Sequence, residues 1–191
     1  MTDKSPGITR EEALALVREK LAAQPNLIKH CLASETIMRA LARRLGADAD
    51  FWSLAGLLHD LDLGEVGDDA QRHAIVGADF LQARGVHSEI VEAIRRHNDF
   101  LHLPRETVLD HALAAAETLT GLVVATALVY PDKKLASVKA KSVGKRYKEK
   151  HFAAGADRAI IAECEQIGVP LAEFFELGLT AMTEIADELG L

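Results

Sequence analysis

Several features that usually mark a fold class are scarce in this chain. Aromatic residues make up only 5% of its 191 positions. A core must therefore come from Leu, Ala, Val and Ile, a composition that favours helices over strands. The two cysteines, Cys31 and Cys164, form no zinc or redox spacing and are too few for a disulfide framework. A reducing, cytoplasmic home is the simplest expectation. The opening MTDKSPGITREE contains no apolar run of the kind a signal peptide needs. The longest nearly apolar stretch, Gly121 to Tyr130, is about half of what spans a bilayer, so no membrane partner is expected. No segment alternates with a period of two between hairpin turns, and no repeat or low-complexity run occurs.

What remains is the composition of an ordinary globular protein, 49% hydrophobic and 27% charged. The length fits one domain, or one domain with a short appendage, and can bury a core without staples. The net charge of −7 argues against nucleic acid as a general partner. That charge is uneven. Residues 131–150 carry eight Lys/Arg against Asp132 and Glu149, a local +6 that leaves −13 on the rest.

Helix signals punctuate the whole chain. Thr9-Arg-Glu-Glu12 reads as a capping box, opening a helix with Ala13, Leu14, Val17 and Leu21 on one face that ends before Pro25. A second helix is expected from a cap at Asn26 to Gly46, and a third from Asp50 to near Gly64. Asp68 or Asp69 would cap a fourth ending at Gly85, and Ser88 a fifth reaching His97. Thr107 would cap the longest, stopped by Pro131, and the last would run from Pro170 to Leu189. The expected fold is all-α, a single helical bundle. Its boundaries are a domain over 1–130 and a C-terminal helical extension over 131–191 packed against it.

The chemistry-bearing residues fall in a particular order. His59-Asp60 sits near the end of the apolar helix in FWSLAGLLHDLDLGE. Burying an imidazole and a carboxylate there is costly unless a partner such as a divalent cation compensates them. Asp62, three residues after His59, would lie on nearly the same helical face and could orient that ring. Around the pair come His30 in NLIKHCLASE, His73 in RHAIVGADFL, His97 in AIRRHND and Glu117 in AAAETLTGLV.

This ordered set, over roughly residues 26–125, resembles the HD superfamily of metal-dependent phosphohydrolases. The resemblance implies an HD-type helical domain. It implies that His30, His59, Asp60 and Glu117 hold a first divalent metal, with His73 and His97 holding a second and Asp60 bridging. The ion would be Mn, Fe, Co, Ni, Zn or Mg, one or two in number. Glu117 departs from the Asp usual at that place in a run like A-x-D-x-L-T-G-L. The extra methylene moves the carboxylate by roughly 1.5 Å (one carbon–carbon bond). Asp110 and His111, two turns upstream, are spare candidates.

The implied activity is cleavage of a phosphate ester of a small molecule or nucleotide by a metal-activated hydroxide. Asp60 and Asp62 would be catalytic, Arg96 (or Arg95) would clamp the phosphate, and Asn98 would be an outer contact. Two other classes share the ligand set: a di-iron oxygenase, which would consume oxygen, and a non-catalytic nucleotide or metal sensor. In the basic segment, Lys134, Lys141, Lys145 and Lys148 fall near one helical face with Val138 and Tyr147 between them. That face is either a solvated surface or a lid or wall offering cations to an anionic substrate, nucleotide or nucleic acid. The run Val-Lys-Ala-Lys-Ser-Val, followed by Phe-Ala-Ala-Gly-Ala-Asp-Arg, resembles a bacterial and archaeal subgroup of the superfamily. The apolar C-terminal helix, with Phe174, Phe175, Leu179 and Met182, covers either the core or a homodimer partner, and the core is the favoured reading.

Overall fold

Thr9 opens helix α1 (Arg10–Lys20) in the computed structural model, which describes residues 4–191. Both halves of its capping box form: Thr9 Oγ1 accepts from the Glu12 amide, and the Glu12 carboxylate accepts from the Thr9 amide. Helix α2 (Pro25–Leu45) starts two residues earlier than a cap at Asn26 would allow, because Pro25 takes the first helical position, where its missing N–H costs nothing. Gly46, at φ 69°, ends it in the left-handed conformation that suits glycine. Helix α3 (Ala49–Leu58) is capped by Asp48 rather than opened by Asp50; the Asp48 carboxylate accepts from the Asp50 and Phe51 amides.

Helix α3 stops at Leu58, and the short helix α4 (Leu63–Val66) follows a turn. Helix α5 (Ile75–Ala83) starts late because Ala74, at φ 72°, interrupts the backbone, while Asp69 only organises the preceding turn through the Gln71 and Arg72 amides. Helix α6 (Ser88–His97) is capped by the His87 ring, and helix α7 (Val108–Leu128) by a box between Thr107 and Asp110. Helices α8 (Ala140–Tyr147) and α9 (Arg158–Ile161) lead to α10 (Leu171–Glu184), which breaks at Ile185 before α11 (Ala186–Leu189). The fold is all-α, with no strand among the described residues.

Helices α2, α3, α6 and α7 enclose a core in which Ile37, Leu57, Ile94, Leu113 and Leu119 are fully buried. The same core takes in Leu135, Val143, Phe174, Phe175, Leu179 and Met182 from beyond residue 130. The apolar face of α10 therefore covers this core. Each such side chain contributes about 1.5–3 kcal/mol by leaving water. Helix α7 is long and apolar enough to cross a bilayer by length and composition, but 67% of its most apolar window is buried inside the fold. It is the central core helix.

One close approach sets the site. A Cβ on Gly56 would lie 2.6 Å from the Ser34 carbonyl oxygen. Only glycine lets α3 press its backbone against α2, and that contact brings the end of α3 beside the first turns of α2.

Candidate metal centre

Five segments converge on one point. His30 comes from α2, His59 caps α3, Asp60 follows in the turn, His73 precedes α5, and His97 is the last residue of α6. Asp60 is nearly buried and stands between two histidine pairs. Its Oδ2 lies 3.4 Å from His30 Nε2 and 3.4 Å from His59 Nε2. Its Oδ1 lies 3.4 Å from His73 Nε2 and 3.5 Å from His97 Nε2. One carboxylate oxygen thus serves each pair. Two sets, His30-His59-Asp60 and Asp60-His73-His97, each gather their ligand atoms within 4.8 Å of one another.

The hydrogen bonds on the far side of each ring fix its tautomer. His59 Nδ1 donates to the Gly56 carbonyl (2.8 Å) and His97 Nδ1 to the Ile94 carbonyl (2.6 Å). His73 Nδ1 donates to Asp62 Oδ1 (2.9 Å). His30 Nδ1 donates to Thr120 Oγ1 (2.9 Å), whose own proton goes to the Glu117 carbonyl (2.6 Å). Each ring therefore carries a proton on Nδ1 and turns its Nε2 toward the Asp60 carboxylate. The His30 and His59 Nε2 atoms are only 3.0 Å apart, a separation at which a shared proton or a common cation keeps their lone pairs from facing each other. The donor set, nitrogen plus carboxylate oxygen with outer hydrogen bonds in place, fits a divalent transition metal.

The electrostatics agree with that reading. Burial opposes ionisation of Asp60, yet the His59, His97 and His30 rings outweigh it and hold the carboxyl well below the usual carboxylate range. Burial drives His59 down to about 3, so the ring is a neutral ligand at physiological pH. Burial also acts against charge on His97, but its hydrogen bond and attraction to Asp60, with help from Glu117, leave it raised. Glu117 reaches the edge of the cluster, Oε2 lying 3.9 Å from His30 Nε2 while Oε1 accepts from the Thr118 hydroxyl (2.5 Å). Its carboxyl is raised, chiefly by burial.

Not every expected residue joins the cluster. Asp62 is buried but does not orient His59; its Oδ1 holds His73 and its Oδ2 accepts from the Gly77 amide (2.8 Å). The helix stops before Asp62, so the shared face with His59 is never built. Arg96 does not face the histidines: its guanidinium pairs with Asp110 (3.0 Å) and Glu106 (3.0 Å). Arg95 pairs with Asp79 and Glu92. Asn98 donates to the Ala70 and His73 carbonyls, fixing the segment that carries His73. Asp110 is committed to the α7 cap and His111 to Glu163 (2.7 Å), so neither is a spare ligand. Sequence reasoning missed Thr120, the Gly56 carbonyl and the Ile94 carbonyl. Only Thr120 carries a side-chain signal, a hydroxyl three residues after Glu117.

The cleft opens at His30, Thr120 and Gly121, where two grooves meet. One of about 540 Å³ runs past Lys29, Val124 and Leu128 to Leu191. The other, about 290 Å³, runs past Glu117 and Thr118 to Gly155, Ala156 and Asp157.

The family model described as HD domain matches residues 27–128, slightly more than half of the chain and every residue of the cluster. Among curated proteins, ribonuclease Y of Desulfotalea psychrophila is 32% identical over 108 residues, 56% of this chain and 20% of that protein. Ribonuclease Y of Oleidesulfovibrio alaskensis is 28% identical over 108 residues, with the same shares. Ribonuclease Y 2 of Bdellovibrio bacteriovorus is 28% identical over 122 residues, 62% of this chain and 22% of that protein. The chain thus spans about a fifth of the length of these relatives. No solved structure matches. Relatives named as ribonucleases lend no support to the charge-based expectation against nucleic acid. With the whole histidine cluster inside the matched span, the chain belongs to the HD domain family.

Proposed function

We propose that this chain is a metal-dependent phosphohydrolase that cleaves a phosphate ester at the His30–Asp60–His97 cluster. The observation that carries the proposal is the position of Asp60, one oxygen toward each histidine pair, with four histidine Nε2 atoms around it. His30, His59, Asp60 and Glu117 would hold one ion; Asp60, His73 and His97 would hold a second. Divalent ions there supply Lewis acidity, which lowers the pKa of water and neutralises phosphoryl oxygens.

The chain's own residues do the rest. Thr120, Gly56, Asp62 and Ile94 keep each ring in the tautomer that presents Nε2. Buried Asp60 stays ionised and so can serve both sides at once. Glu117, with one oxygen tied to Thr118, offers the other on the His30 side, which accommodates its extra methylene. The grooves on either side of Gly121 would receive the groups esterified to the phosphate. The similarity to ribonuclease Y proteins brings a phosphodiester into the substrate class beside small phosphate esters and nucleotides. With Arg95 and Arg96 paired elsewhere, the clamp on phosphate is assigned to the ions rather than to an arginine.

The test is a screen of phosphomonoesters, phosphodiesters and nucleotides with Mn, Co, Fe, Ni, Zn and Mg, on the wild type and on His59→Ala and Asp60→Ala. Phosphate-ester cleavage that needs metal and vanishes in both variants is expected. Full metal content and full activity in both variants would sink the proposal. Oxygen uptake by an iron-loaded protein that releases no phosphate would favour oxidation instead.

A further inference from the structure

The lysines of residues 133–150 are the largest group of charges that the phosphohydrolase reading leaves unused. Seven lysines lie in these 18 positions, and all seven are exposed. None forms an ion pair among the described residues; the pair within the stretch joins Arg146 to Glu149. Asp132, the other local acid, is held by the Ser137 hydroxyl (2.5 Å) and the Lys134 amide (3.3 Å). The helical face expected from Lys134 to Lys148 is interrupted, since α8 begins only at Ala140. Lys141, Lys145 and Lys148 keep a common face by their spacing.

The path of this stretch matters as much as its charge. Tyr130 donates its hydroxyl proton to Ser142 (2.9 Å), tying the start of α8 to the end of α7. Further on, the Ala156 side chain lies 4.0 Å from where a Gly121 Cβ would stand. Between those two points the chain returns along α7 from Tyr130 to Gly121, about 13 Å of helix axis. Thr120, Gly121, Val124 and Leu128 on that same length of α7 line the larger groove. The chain that follows the lysines therefore enters the wall of the smaller groove at Gly155, Ala156 and Asp157. Arg158 fixes the wall, its guanidinium donating to the carbonyls of Arg146, Tyr147, Glu149 and Ala153, and to those of Phe152 and Ala156. At the rim, Leu128 and Val129 are about half exposed and offer apolar surface beside the cations.

We infer that residues 133–150 form a docking track for the phosphodiester backbone of a single-stranded nucleic acid, leading it to the metal cleft. This rests on the phosphohydrolase reading for its purpose, though not for its binding. A run of exposed cations with no ion-pair partner among the described residues complements a polyanion better than a single phosphate. The two grooves, about 540 and 290 Å³, match pockets for small groups and not the bulk of a duplex. The net charge of −7 misleads here because the acidic remainder of the chain hides a local +6.

The experiment is fluorescence anisotropy of end-labelled single-stranded RNA and DNA with the full chain in chelator, over a range of salt. Each lost phosphate contact should make the slope of log K against log salt shallower by about 0.7. The triple variant Lys141→Gln/Lys145→Gln/Lys148→Gln should then lower the slope by about 2 and weaken binding on the order of a hundredfold at about 0.1 M salt. Its cleavage of bis(para-nitrophenyl) phosphate should match the wild type. Equal binding of RNA and DNA would support backbone recognition, and tighter RNA binding would support a track that also reads the ribose. The track is overturned if the wild type binds neither strand at low salt, if the slope is unchanged in the variant, or if anionic phospholipid vesicles bind while strands do not. Strand binding as expected with no ester cleaved under any metal would defeat the phosphohydrolase reading and leave the track standing.

Discussion

Replacing Asp62 by asparagine should split the metal centre into its two halves. The carboxylate is almost fully buried and uses both oxygens, one for His73 Nδ1–H at 2.9 Å and one for the Gly77 amide at 2.8 Å. Asparagine keeps one acceptor and puts an NH2 group where the other was. Whichever way the amide turns, one N–H is left facing a donor, at about 1–3 kcal/mol. The ring of His73 also loses the negative charge that makes its Nε2 a better ligand. Loss of such an outer partner costs about 10–100-fold in metal affinity, or roughly 1.4–2.7 kcal/mol. The His30–His59 side is oriented by Thr120 and the Gly56 carbonyl and should keep its affinity. Calorimetric titration of the metal-free Asp62→Asn protein with Mn should show one class of site weakened and one unchanged, with a thermal melt confirming the fold. Equal weakening of both classes, or of neither, would refute the reasoning.

Three further outcomes follow from the same geometry. Thr120→Val removes the acceptor for His30 Nδ1 (2.9 Å), so the converse result is expected in the same titration: the His30–His59 side weakens about tenfold or more while the His73–His97 side holds. Gly56→Ala drives a Cβ to 2.6 Å from backbone. It should destabilise the fold by at least about 1–3 kcal/mol in urea unfolding, and a neutral result would contradict the α2–α3 contact. Asp110 has a depressed folded pKa, burial being outweighed by bonds from Glu106, Thr107 and Arg96. Its stabilisation is therefore present above the unfolded value of about 3.9 and lost as pH falls through the lower folded one. Asp110→Asn should cost about 1–3 kcal/mol at neutral pH, with the gap to wild type narrowing as the pH is lowered below about 4; a gap that widens would give the wrong sign.

The site was more legible in the sequence than the exact ends of the helices that carry it. His30, His59-Asp60, His73 and His97 could be read as a set because their order along the chain resembles the ligand pattern of the HD superfamily. The capping signals at Thr9 and Thr107 were local, and both boxes form. What the sequence hid was tertiary. Helical spacing pairs Asp62 with His59, but α3 ends at Leu58, and the freed turn swings Asp62 toward His73. Arg96 looked available until the packing of α6 on α7 set Asp110 in front of it. The break at Ile185 carries no glycine or proline to announce it. The backbone acceptors at Gly56 and Ile94 have no side-chain signature at all.

The central claim is that Asp60 joins two histidine pairs into a binuclear centre. Anomalous diffraction from crystals of the Mn-loaded protein, set beside the metal content of Asp60→Ala, tests it most directly. Two ions per chain are predicted, one among His30, His59 and Asp60 and the other among Asp60, His73 and His97, with both weakened or lost in the variant. Ions found elsewhere, none at these residues, or a full complement in Asp60→Ala would contradict it.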